Sequence, residues 1–196
     1  MSSETSDEIM EATGRALREH GYADLTMQRI AAESSMTTAA IHYHYDTKAE
    51  LLNAFLEDLI ERFEARLACE ATDPRERLEA FLDAVFASAE GDTDEFPVAL
   101  MELKAQAPYD ERFRERFRAL DETMRSVVAG AVRDGVEAGV FEEADPETVA
   151  RLVTTAINGA HVRRVALGEE PAATRAVIER TLELHLGWTP GSEVSA

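Results

Sequence analysis

Thr26, Gln28 and Arg29, then Thr37, Thr38, Ala39, Ala40, His42, Tyr43 and His44, then Lys48, fall in one stretch bounded by Leu25 and Leu52. Their chemistry is hydrogen bonding and close approach. Thr, Gln and His can bond base edges and phosphate oxygens. Arg and Lys can pair with phosphate, and the methyls of Thr and Ala can touch a thymine methyl. Nothing here suits catalysis. The chain has no His-Glu-x-x-His, no glycine-rich phosphate loop and no Gly-x-Ser-x-Gly. His42 and His44 are two apart, so a helix points them in different directions and they make a poor metal pair. Carboxylate pairs abound, but 39 acidic residues make them ordinary on a solvated surface. The expectation is a non-enzyme with no catalytic residue, no metal and no cofactor.

Those residues need helices to present them. Thr26 is placed to cap one, with Leu25 and Ile30 at the spacing of a hydrophobic staple. Ser34, Ser35 and Met36 interrupt the run. Thr37 caps again, and Met36 with Ile41 repeats the staple. The helix from Thr38 to about Tyr43 is only two turns long, so it gains little from its own hydrogen bonds. Such a helix, set straight after a tight turn, makes sense if it enters a groove. Thr47-Lys48-Ala49-Glu50 reads as a capping box, with Leu51, Leu52, Phe55 and Leu59 as a buried stripe behind it. An earlier helix, about Ser6 to His20, carries Ile9, Ala12, Ala16 and Leu17 on one face and stops at Gly21.

Three short helices joined this tightly form a helix-turn-helix, about residues 26–45. The segment from Ile9 to Leu56 resembles the DNA-binding domain of the TetR family of transcription regulators. The resemblance rests on His20-Gly21-Tyr22, on Ile30-Ala31, on Ile41-His42-Tyr43-His44-Tyr45, and on Thr47-Lys48 with Leu51-Leu52. Farther on, Gly139-Val140-Phe141 followed by Asp145-Pro146-Glu147 is similar to the family pattern. The resemblance implies an all-α chain of about nine helices. It also implies double-stranded operator DNA as a partner, a homodimer and a small-molecule effector. Ser35 stands where the family usually has a turn glycine. If that position needs positive φ, serine costs about 1 kcal/mol there. Thr38 replaces a common lysine and His42 a common tyrosine, which removes two familiar contacts.

Charge sets a further condition. The chain carries 39 acidic and 20 basic residues, net −19, and Lys48 and Lys104 are its only lysines. Residues 1–50 hold 9 acids against 4 bases. A DNA reader normally shows a basic patch. Either the protein does not bind DNA, or it works in salt that screens charge within about 3 Å. Abundant carboxylate with scarce lysine is similar to proteins of halophilic archaea. An ordinary acidic regulator that concentrates its bases at Arg29 and Lys48 is the other reading. The lone Cys69 excludes an internal disulfide and is expected to be a small packed residue. No apolar run is long enough to span a membrane and no basic leader opens the chain, so a cytoplasmic location is expected.

After residue 50 only helical patterns appear. Asp73-Pro74-Arg75-Glu76 starts one helix. Glu90 to Glu95 is an acidic loop, and further helices run about Phe96–Ala107, Asp110–Ala138, Asp145 to Gly168, and Pro171–Leu186. The expected division is residues 1–50 for DNA binding, 51–188 for ligand binding and dimerisation, and 189–196 as a mobile tail. Phe86, Phe96, Met101, Tyr109, Phe117, Met124, Asn158 and His161 are the residues that could surround a small molecule. Each of these aromatic and Met residues also fits a plain core. The last two helices are expected to pair with a symmetry mate through Ala156, Gly159, Ala160, Arg163, Val177 and Leu182. Two-fold pairing would set two reading helices about 34–36 Å apart. The leading expectation is a ligand-released homodimeric repressor. Its alternatives are an activator or co-regulator, or a ligand-binding scaffold that has lost DNA recognition.

Overall fold

The computed structural model describes residues 3–68, 71–86 and 95–191. Cys69, the acidic run from Glu90 to Asp94, the last five residues and the side chain of Phe96 lie outside the described set. Among the described residues the chain is all-helical: α1 Ser3–Asp24, α2 Met27–Ala32, α3 Thr38–His44, α4 Lys48–Leu67, α5 Pro74–Phe86, α6 Glu95–Gln106, α7 Glu111–Glu137, α8 Pro146–Leu167 and α9 Pro171–Leu186.

These helices form two compact units. One holds residues 1–62 with 90–118, the other 63–89 with 119–196. A cut at residue 50 would therefore put α6 in the second body, yet α6 packs along α1 in the first. In the first unit Ile9, Ala12, Ala16 and Leu17 recur at helical spacing and are buried. Leu51, Leu52, Phe55 and Leu56 of α4 are buried too, with the Phe55 ring beside Gly14 of α1, and so are Ile30, Ile41, Leu103 and Phe113. Thr13 is also buried, and its hydroxyl donates to the Ile9 carbonyl one turn back at 2.7 Å. Gly21 bends α1 near its end, at φ 68° and ψ 167°. A side chain is strained in that region, which is why the helix turns at the glycine.

The second unit packs α5, most of α7, α8 and α9 around Phe81, Leu82, Val128, Val132, Val153, Ile178 and Leu186. Asp145 caps α8 as the Asp-Pro pair predicts, accepting from the Thr148 N–H at 2.9 Å. After α7 the N–H groups of Val140 and Phe141 both donate to the Gly135 carbonyl, at 2.9 and 3.1 Å. That turn lays the Phe141 ring over Gly135, where a Cβ would lie only 2.1 Å from a ring carbon. Trp188 is fully buried, and its indole N–H donates to the Arg75 carbonyl at 3.2 Å. The chain is thus fastened to α5 just beyond α9. The Gly191 N–H reaches the Glu79 carboxylate at 3.3 Å, so the start of the expected tail is hydrogen-bonded.

Candidate nucleic-acid interface

Local chemistry builds the helix-turn-helix. Thr26 Oγ1 accepts from the Arg29 N–H at 3.2 Å and Thr37 Oγ1 from the Ala40 N–H at 3.2 Å, so both expected caps form. Met27, Ile30 and Ala31 of α2 and Ile41 of α3 point into the core. Tyr45 closes α3, with its side chain buried and its N–H on the Ile41 carbonyl. Thr47 Oγ1 accepts from the Glu50 N–H at 3.1 Å, but Glu50 reaches back to the N–H of Asp46 instead of Thr47. The capping box is present and displaced by one residue.

The turn departs from expectation in an instructive way. No residue other than glycine has positive φ among the described residues, so Ser35 carries no left-handed strain. The side chain is used instead. Ser35 N–H and Oγ–H both donate to the same oxygen of Glu8, at 2.8 and 2.7 Å. Ser35's hydroxyl first, then its N–H, holds the Glu8 carboxyl below its ordinary range. Arg15 donates to the Glu33 carbonyl at 2.6 Å. Two residues of α1 therefore hold the turn that aims α3. Sequence reasoning missed Glu8 and Arg15.

Around this frame Thr26, Gln28, Arg29, Thr37, Ala39, His42 and Tyr43 are exposed, Tyr43 at 87%. Thr38, Ala40, His44 and Lys48 are half-buried. The rings of Tyr43 and His44 meet edge to face at 5.3 Å. Arg29 donates to the Asp24 carbonyl at 2.6 Å and Lys48 to the Tyr22 carbonyl at 3.0 Å. These partners are neutral oxygens, so hydrogen bonding orders both cations without cancelling their charge. The surface can therefore offer two ordered positive groups, a phenol and an imidazole beside small side chains, against an acidic background.

With that geometry in view, comparison with known proteins is decisive. Residues 9–55 match the family profile described as bacterial regulatory proteins, tetR family, and residues 74–187 match that of the BetI-type transcriptional repressor, C-terminal. The chain belongs to the TetR family of transcriptional regulators. It is similar to a TetR transcription regulator from Haloarcula marismortui, at 44% identity and TM-score 0.87, over 94% of this chain and 99% of that one. A transcriptional regulator from Saccharomonospora viridis, solved in complex with choline, shares the fold at 20% identity. Its TM-score is 0.84, over 94% of this chain and 98% of that one. The transcriptional regulator TtgR of Pseudomonas putida is 41% identical over 58 residues, which are 30% of this chain and 28% of that protein.

The residues expected to surround a ligand are divided between the units. Met101, Tyr109 and Phe117 lie in the first, and Phe86, Met124, Asn158 and His161 in the second. Tyr109 is 87% exposed in the turn after α6. Asn158 donates its amide to the Thr154 carbonyl one turn back at 3.0 Å. A groove of about 290 Å³ opens between α8 and α9, lined by Asp145, Thr148, Leu152, Leu182 and His185 among others, and none of the expected pocket residues lines it. Ala160 and Leu182, expected at a dimer interface, are turned inward with 5% and 1% exposed, which corrects their assignment to an outer face. Helical phase explains this, because the outward residues lie on the stripe running through Leu152, Ala156, Gly159 and Arg163 on α8, with Val177 and Leu184 on α9. Among the described residues no helix is long and apolar enough to cross a membrane.

Proposed function

We propose that the protein is a homodimeric repressor that binds a palindromic operator and is released by a small molecule. The observation that carries this reading is the face of α3. Ile41 is locked into the core while Ala39, His42 and Tyr43 stand in solvent on a seven-residue helix. Folding alone gains nothing from an exposed tyrosine on so short an element. A duplex groove accounts for both its exposure and the small residues beside it.

The second unit supports dimerisation. Leu152, Val162 and Leu167 of α8 and Val177 and Leu184 of α9 are 43–65% exposed, an apolar stripe of the kind that marks an interface. Pairing two copies through it buries the stripe and doubles the reading surface. Release by ligand requires only that the ligand prefer a dimer with the wrong spacing between reading helices. The linkage is reciprocal, so saturating operator lowers ligand affinity by the factor that ligand lowers operator affinity. Choline is the first compound to test, because the similarly folded Saccharomonospora viridis regulator was solved with it. The net charge of −19 fits work in concentrated salt within the cytoplasm, where close contacts replace long-range attraction.

The test is binding to DNA from upstream of the protein's own gene, with Tyr43→Ala and Lys48→Ala alongside. DNA binding falls in both variants while the dimer persists. Full binding by both would place the interface elsewhere.

A further inference from the structure

Three helices of the first unit meet at Tyr22. Its N–H donates to Glu102 Oε2 of α6 at 3.0 Å, and its carbonyl accepts from Lys48 Nζ, the first residue of α4, at 3.0 Å. The Lys48 ammonium also lies 4.7 Å from the centre of the Tyr22 ring. A carboxylate, a main-chain segment and an ammonium thus form one chain of charge-assisted bonds. Gly21, at φ 68°, turns the backbone so that Tyr22 can face both helices.

The geometry points to Glu102 as a positioning residue for operator binding, acting on DNA through Tyr22 and Lys48. This rests on the regulator reading above and on Lys48 as a phosphate contact. A lysine stem is flexible and loses conformational freedom when it grips a phosphate. Tyr22 supplies an acceptor and a ring face that hold the ammonium in place beforehand, so less freedom remains to be lost. Tyr22 directly follows the non-helical Gly21 at the bend of α1, and the Glu102 carboxylate fixes its N–H. The functional unit is therefore larger than the helix-turn-helix. An acid 80 residues from Tyr22 in sequence prepares one of only two lysines for its task.

The experiment uses the full chain and an operator fragment that the wild type binds, titrated between dilute and molar KCl. Lys48→Ala is measured first, and a weaker complex with a shallower salt dependence, by about 0.9 per subunit, establishes the phosphate contact. Glu102→Ala then lowers affinity about tenfold in dilute salt and reproduces the shallower slope. In the Lys48→Ala background the Glu102→Ala change has no further effect. Glu102→Gln keeps an oxygen acceptor for the Tyr22 N–H and restores most of the affinity. If Lys48→Ala leaves binding intact, the phosphate contact itself is wrong. If Glu102→Ala acts equally with and without Lys48, or leaves affinity unchanged in a folded protein, the positioning role is wrong. Circular dichroism and dimer size on each variant separate these results from loss of fold.

Discussion

Replacing Gly135 by alanine separates packing from helix propensity, because the two push in opposite directions. Alanine inside a helix gains about 1 kcal/mol over glycine. Against that, the new methyl would sit 2.1, 2.4 and 2.8 Å from three carbons of the Phe141 ring, where contact is favourable only near 3.5–4.0 Å. The ring cannot slide aside freely. The N–H groups of Val140 and Phe141 are both fixed to the Gly135 carbonyl, and the Arg75 guanidinium covers the ring at 5.6 Å. Either the turn opens or the ring leaves its site. Losing burial of a phenylalanine costs about 1.5–3 kcal/mol, and overpacking costs a similar amount. After the propensity gain, the net destabilisation is about 1 kcal/mol. For a chain of this size that lowers Tm by about 2–4 °C. Thermal melts at fixed salt and protein concentration measure it. Gly14→Ala is the control, since a Cβ there lies 3.6 Å from the nearest Phe55 ring carbon, an ordinary contact, and propensity alone should hold or raise helix stability. A Gly135→Ala protein as stable as wild type would refute the steric reasoning.

Three further outcomes follow. Ser35→Ala removes the hydroxyl that most strongly lowers the Glu8 carboxyl. A group with a lowered folded pKa stabilises above its ordinary value, here 4.5, and that share is lost as pH falls through the lowered pKa. The stability gap between wild type and variant should be full at neutral pH and close in acid, and a gap independent of pH in urea titrations would sink the Glu8 explanation. Trp188→Phe keeps most of the apolar burial but loses the indole bond to the Arg75 carbonyl, which keeps its place in the α5 hydrogen-bond ladder, for a loss of about 0.5–1.5 kcal/mol. Trp188 is the chain's one tryptophan, so both proteins are followed by circular dichroism, and equal urea midpoints would count against the bond. Val177→Arg with Leu184→Arg puts charge on the exposed stripe of α9 and should give monomers in sedimentation, whereas an unchanged dimer would move the interface to other surfaces.

Much of the reading site was legible because caps are local. A threonine or aspartate before a periodic run meets an N–H two or three residues on, so Thr26, Thr37, Thr47 and Asp145 could be identified without tertiary knowledge. Gly139 and Gly168 ended helices and Gly21 bent one for an equally local reason. Ser35 misled because a family glycine implies positive φ, and this chain solves the turn with a hydroxyl and a carboxylate 27 residues away. Glu8 and Glu102 were invisible among 39 acids, since nothing in sequence says which carboxylate will meet a main-chain N–H. The outer face of α9 was misjudged at Leu182 because hydrophobic spacing marks two stripes there. Only packing decides that Leu182 goes inward while Val177 and Leu184 stay outside.

The most direct test of the account is a titration of an upstream DNA fragment with wild-type protein and with Tyr43→Ala, in molar KCl and in dilute buffer. A repressor that reads DNA through α3 shows specific binding that survives molar KCl in the wild type and collapses in Tyr43→Ala, with the dimer intact in both. A folded wild-type dimer that binds no specific sequence in either buffer, including in selection from random DNA, would contradict it.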